Sequence, residues 1–198
     1  FVFENISSQP VASLLRDFSA PVIIKKETSN EELAFLFAHD SNEFNRWEAG
    51  QQLSINIIKS LISDYQAKKA LHVPDMFIDA FRKTLLNDKL DKSLKAQAMA
   101  LPSVNYLMEQ YEVIDIDAID AVRLFVRQQL AIALESELLQ TWQANHVSQA
   151  YQFNANDMAQ RSLKNSCLSY LMELEKAEYT DLCVKQFAAD ENMTDVMA

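Results

Sequence analysis

The chain has 198 residues, 18 of them basic and 28 acidic, and its net charge of −10 leaves no source for the phosphate neutralisation that dominates nucleic-acid binding. One glycine and four prolines among 49% hydrophobic residues exclude glycine-rich phosphate loops, dinucleotide-binding turns and Gly-x-Ser-x-Gly elbows, and favour long helices on a large core. No stretch approaches the roughly 20 continuous apolar residues of a membrane span. The first residues also lack the basic-then-apolar pattern of a secretory signal, so a soluble, cytoplasmic chain with neither nucleic-acid nor membrane partners is expected.

Residues 1 to about 28 differ from the rest. Phe1-Val2-Phe3 and Val22-Ile23-Ile24 are short β-prone runs, and Pro10 and Pro21 forbid a continuous helix between them. Two such strands cannot stabilise themselves in water, so they are expected to pack on helices or to belong to a larger sheet.

From Ser29 the pattern turns helical. Ser29 with Glu32 forms a capping box before Leu33-Ala34-Phe35-Leu36-Phe37, which predicts a helix to about His39. A long helix follows from Asn42, with Phe44, Trp47, Ile55, Ile58, Ile62 and Tyr65 on one stripe and Leu53, Ile57 and Leu61 on another, so it is expected to be buried on two sides. Gly50 lies within it, where a small residue admits a closely crossing helix, although glycine costs about 1 kcal/mol inside a helix.

Pro74 suits the first turn of a helix carrying Phe77, Ala80, Phe81 and Leu85. Asp91 caps the next helix, Pro102 interrupts it, and Ser103 caps another through Tyr106, Leu107 and Tyr111. Residues 117 to about 142 place Ile119, Val122, Val126, Leu130, Ala133, Leu134, Leu138 and Trp142 on one stripe, which predicts a single amphipathic helix. After a polar loop, Asp157 opens a helix with Leu163, Cys167, Tyr170, Leu171 and Leu174 on one face, and a last one begins near Ala177 with Leu182, Cys183 and Phe187. The fold class is therefore mainly α. About eight helices with short connections predict a curved array, or superhelix, of antiparallel neighbours, preceded by a short β segment.

Side chains able to carry chemistry are few. His39, His72 and His146 are the three histidines, none has a histidine at i+4, and the H-E-x-x-H zinc pattern is absent. Asp115, Asp117 and Asp120 can be read as cation ligands or paired carboxylates, but first-turn acids that cap a helix and meet its dipole are the preferred reading. Arg46, Arg123 and Arg127 can offer a guanidinium fork to a carboxylate, with pairing to the abundant acids preferred. Cys167 and Cys183 are expected to be reduced core residues, ahead of a disulfide or a reactive thiol. No catalytic, cofactor-binding or metal-binding residue is assigned.

Several short runs nevertheless resemble a known family. Phe18-Ser19-Ala20-Pro21-Val22, Phe44-Asn45-Arg46-Trp47-Glu48-Ala49, Leu101-Pro102-Ser103 and Asn192-Met193-Thr194-Asp195, together with Gln9-Pro10-Val11 and Asn165-Ser166-Cys167-Leu168, resemble in order and spacing the bacterial aminopeptidase N (alanyl aminopeptidase) family. The resemblance implies a zinc-dependent exopeptidase of four domains, in which a helical C-terminal domain follows a β-sandwich and covers the catalytic domain. Residues 1–28 would then be terminal strands of the sandwich, and 29–198 the first part of the helical domain.

The family's H-E-x-x-H helix, distal glutamate ligand and Gly-Ala-Met-Glu-Asn motif have no counterpart here. The implied role is a non-catalytic part of the enzyme that helps enclose the active-site cavity and limits access to peptides. Its partners would be the remaining domains and the peptide substrates, and zinc is expected only in the longer parent. A free-standing helical-repeat interaction module is the alternative.

Overall fold

The computed structural model describes residues 4–22, 24–146, 151–189 and 192–198. Ten α-helices account for most of them: α1 (Asn30–His39), α2 (Glu43–Gln66), α3 (Asp75–Leu85), α4 (Lys92–Ala98), α5 (Val104–Met108), α6 (Ile116–Ala133), α7 (Glu135–Asn145), α8 (Ala155–Leu171), α9 (Ala177–Ala189) and α10 (Met193–Val196). Short 3-10 turns occupy Arg16–Phe18 and Met172–Leu174. Among the described residues there is no strand, and Val22 and Ile24 lie in irregular chain; Phe1–Phe3 and Ile23, the rest of the expected β segment, fall outside the described residues.

Local chemistry accounts for the helix starts. At α1 the Ser29 hydroxyl accepts from the Glu32 amide at 3.2 Å while Glu32 accepts from the Ser29 amide at 3.1 Å, so the capping box is complete. Asn42, Asp91 and Ser103 cap α2, α4 and α5 through their side chains. Pro74 is the N-cap of α3 rather than a residue of its first turn. Asp115 caps α6, two positions before the expected start, and Asn154 caps α8 by accepting from the Asp157 amide, so Asp157 lies inside the helix and does not open it.

α2 is the hub. Leu53, Ile55, Ile57, Ile58, Leu61 and Ile62 are all buried, so both faces of the helix are covered, by α1 on one side and by α4 and α6 on another. Each such side chain contributes about 1.5–3 kcal/mol of transfer free energy. Phe44 and Tyr65, near the two ends of the helix, are exposed, because the neighbouring helices do not extend over them. α8 packs on α4 and α7, and the predicted α8 face holds: Leu163, Cys167, Tyr170 and Leu171 are buried and Leu174 packs on them. On α9, Leu182 and Cys183 are partly buried but Phe187 is 63% exposed, leaving Tyr179 as the large apolar side chain that anchors this helix.

Residues 117–142 do not form one helix. The stripe is continuous in burial, with Ile119, Val122, Val126, Leu130, Leu134, Leu138 and Trp142 all in the core, but the backbone leaves helical geometry at Leu134 (φ −118°, ψ 16°). Arg82 of α3 straddles that point, donating through Nη2 to the Ala133 carbonyl at 3.1 Å and through Nε to the Glu137 carboxylate at 2.9 Å. A cation reaching in from another helix therefore stands at the bend, where the sequence carries no proline or glycine.

Gly50 is a close-approach position, as expected. A Cβ there would lie 2.7 Å from Cδ2 and 2.8 Å from Cε2 of Phe37, and the Phe37 ring is fully buried against Phe81 with centroids 5.1 Å apart in an edge-to-face arrangement. The absence of a side chain on α2 is what lets α1 lay an aromatic ring directly against its backbone.

Candidate functional site

An apolar groove of about 700 Å³ lies between the N-terminal segment and the α1–α2 pair, its walls including Leu15, Val22, Leu33, Leu36, Ala49 and Gln52. Polar contacts tie this segment to the α1–α2 corner. Asn45 donates from Nδ2 to the Ser13 hydroxyl at 2.9 Å and to the Leu14 carbonyl at 2.7 Å, Asn42 donates to Asp17 at 2.7 Å, and Arg16 donates to Ser41 at 2.7 Å. The rings of Phe18 and Phe44 meet at 4.5 Å.

The three arginines singled out in the sequence stay apart and are committed within the fold. Arg46 is buried and takes no carboxylate fork: it donates to the carbonyls of Phe37 (3.1 Å), Ala38 (2.8 Å) and Asp40 (2.9 and 2.5 Å), closing the free C-terminal end of α1. Burial holds its guanidinium below the usual arginine value, opposed by the nearby Asp40 charge. Arg123 donates to the Pro102 carbonyl at 2.8 Å, tying α6 to the α4–α5 junction. Arg127 combines an ion pair to Glu173 at 2.8 Å, a hydrogen bond to the Ser169 carbonyl and a position over the Tyr170 ring. Among the described residues only this last one pairs with an acid side chain at close range, as the charge balance suggested for all three.

His39, His72 and His146 are exposed and far from forming a cluster; His39 rests on Phe35 and His146 stacks on Trp142. Asp115 accepts from the Ala118 amide and from Gln66, which together hold its carboxyl below the usual range, and Asp117 and Asp120 are exposed beside it at the N-terminus of α6. Among the described residues, no group of three or more His, Cys, Asp and Glu is placed to hold a metal ion. Both cysteines are unpaired; burial pushes the Cys167 thiol up to about 12, which keeps it protonated and unreactive at neutral pH, and Cys183 is half-buried.

One polar centre was not foreseen. Lys164, buried on the core side of α8, pairs with Asp195 at 2.8 Å, while Asn165 donates to Asp195 at 3.0 Å and Gln186 donates to both the Asn165 side chain and the Asp195 carbonyl at 3.0 Å. The signal was a lysine one turn before Leu168 on a buried stripe. Burial alone would raise the Asp195 carboxyl, but hydrogen bonds from Lys164, Asn192 and Asn165 with the Lys164 charge hold it below its ordinary 3.8. A carboxyl with a depressed native pKa gives stability that is present above the unfolded value and lost as pH falls through the native one. Attachment of α10 is therefore expected to persist at pH 3.8 and to fail only below it. A carboxyl-carbon NMR titration should give Asp195 a midpoint under 3.8; a midpoint at or above that value would show that the bonds do not favour the charged form.

The family model described as "Domain of unknown function (DUF3458_C) ARM repeats" matches residues 30–198. The chain belongs to this family. The DUF3458_C chain is 41% identical over all 198 residues to aminopeptidase N of Escherichia coli (strain K12), of which it covers 23%. It is 30% identical over 198 residues to aminopeptidase N of Haemophilus influenzae, covering 22% of that protein. Among solved structures, the crystal structure of Legionella pneumophila aminopeptidase A in complex with aspartic acid superposes with a TM-score of 0.80 at 30% identity, over 98% of this chain and 23% of that one. The chain thus spans less than a quarter of the length of these relatives.

Several of the runs that carry the resemblance lie where elements of the chain meet. Phe18 meets Phe44 and Arg46 closes α1, the Pro102 carbonyl accepts from Arg123, and Asn165 donates to the Asp195 carboxylate. Among the described residues, no helix is long and apolar enough to cross a membrane.

Proposed function

We propose that this chain is a non-catalytic part of a zinc-dependent aminopeptidase that removes N-terminal residues from peptides, and that it helps enclose the active-site cavity and limits which substrates enter. The observation that carries the reading is homology to aminopeptidase N along the entire chain but over only about a fifth of that enzyme. The internal commitments of Arg46, Arg123, Arg127, Lys164 and Asp195 support it, since these charged groups are engaged in holding helices together. In this reading residues 1–28 end a β-sandwich domain and 29–198 begin a C-terminal helical domain that curves as a superhelix. Its partners are the other domains of a cytoplasmic parent, which binds the zinc and the peptides.

The catalytic chemistry, zinc-activated attack of water on the first peptide carbonyl in a closed cavity, then belongs to residues outside this chain. The purified chain supplied with zinc is expected to leave an alanine anilide unhydrolysed, and measurable turnover would overturn the reading. The reading frame around this segment should carry an H-E-x-x-H on its N-terminal side. Its absence, together with capture of a partner unrelated to peptidases, would favour a free-standing interaction module, which the ARM-repeat family description also accommodates.

A further inference from the structure

We propose that residues 13–18 are a clip that opens and closes beside the apolar groove while α1 and α2 stay folded. The closed clip is held from the α1–α2 corner by the bonds of Asn45 to Ser13 and Leu14, of Asn42 to Asp17 and of Arg16 to Ser41, with Arg16 also 3.5 Å from Asp40. Against these stand three opposing features. Leu15, Asp17 and Phe18 all have left-handed backbone (φ 52°, 56° and 55°), a region that aspartate tolerates but that leucine and phenylalanine enter only under strain. The second carboxylate oxygen of Asp40 is buried without a hydrogen-bond partner, and opening would admit water to it. Little apolar surface is gained on closing, since Phe18 remains 72% and Leu14 47% exposed.

Closing and opening are therefore nearly balanced at the clip, whereas α1 and α2 are locked by Phe37, Leu53, Ile58 and Ile62, which are almost wholly buried. Opening frees the groove wall formed by Leu15 and Phe18 and exposes Leu33 and Leu36 beneath it. This inference stands on the contacts alone and is independent of the aminopeptidase reading.

The test follows trypsin cleavage after Arg16, whose guanidinium must leave Ser41 and Asp40 before a protease can bind it, alongside thermal melting of the whole chain. Cleavage tracks the open population when reclosing is fast. Asn45→Ala removes two bonds to the clip and puts a stronger helix former into α2, so cleavage is expected to rise roughly tenfold or more with no fall in melting temperature. Leu15→Gly keeps every polar bond and relieves one left-handed residue, so cleavage is expected to slow several-fold. Unchanged cleavage in Asn45→Ala, or faster cleavage matched by a lower melting temperature, would overturn the proposal by showing no separate clip. Leu15→Gly cleaving at the original rate or faster would overturn it by showing that strain does not drive the opening.

Discussion

Arg46→Met is expected to destabilise the chain by about 3 kcal/mol, although methionine nearly preserves the buried volume. The guanidinium reaches three carbonyls at the end of α1, and only the Phe37 carbonyl keeps another partner, the Thr84 hydroxyl at 3.1 Å. The Ala38 and Asp40 carbonyls would be left buried without their donors, and orphaned acceptors of this kind cost roughly 1–3 kcal/mol each. Arg46→Lys is the sharper variant. Its single ammonium cannot serve diverging carbonyls from three nitrogens, so denaturant unfolding should show that it recovers less than half of the loss. Full recovery by lysine would mean that positive charge near the helix C-terminus, not fork geometry, is what stabilises this corner.

Gly50→Leu is expected to be as damaging, by about 1–3 kcal/mol or more, and Gly50→Ala gives the cleaner comparison. On an exposed helix surface, alanine in place of glycine adds close to 1 kcal/mol of stability. Here its methyl would lie 2.7 Å from the Phe37 ring, which packs edge-to-face on Phe81 and is fully buried. Either the ring or α1 must shift, so alanine is expected to lower the melting temperature despite its better propensity, and leucine to lower it further. At roughly 2–4 °C per kcal/mol for a chain of this size, both effects are measurable by thermal unfolding. A Gly50→Ala variant that melts higher than the parent chain would show that α1 can retreat without loss.

The helical fold was legible because its signals are local. Ser29 with Glu32, Asn42, Asp91 and Ser103 each announce a helix within a few residues, and the apolar spacings of α2 and α8 report which faces are covered. What escaped depends on residues far apart in the chain. The bend at Leu134 sits in a stretch of good helix formers, and Arg82, which bridges it, lies about fifty positions upstream. Pairing Lys164 with Asp195 and closing α1 with Arg46 likewise need the fold to be known before the partner can be named. The candidate site was legible mainly through family runs. Three of those runs make contacts between elements: Asn45 donates to the Leu14 carbonyl, Arg123 to the Pro102 carbonyl and Asn165 to the Asp195 carboxylate.

The bend at Leu134 also makes α7 a lever. α7 has 11 residues, so at 1.5 Å each it is about 16 Å long, and a change of about 10° at its base would move its far end by about 3 Å. Arg82 grips both sides of the pivot from α3, and the Lys176 ammonium and the Tyr179 hydroxyl at 2.5 Å hold Glu135 in the first turn of the lever. A few ionic contacts thus span the bend around one leucine, while the packing of α8 on α4 and α7 holds the second half of the chain against the first.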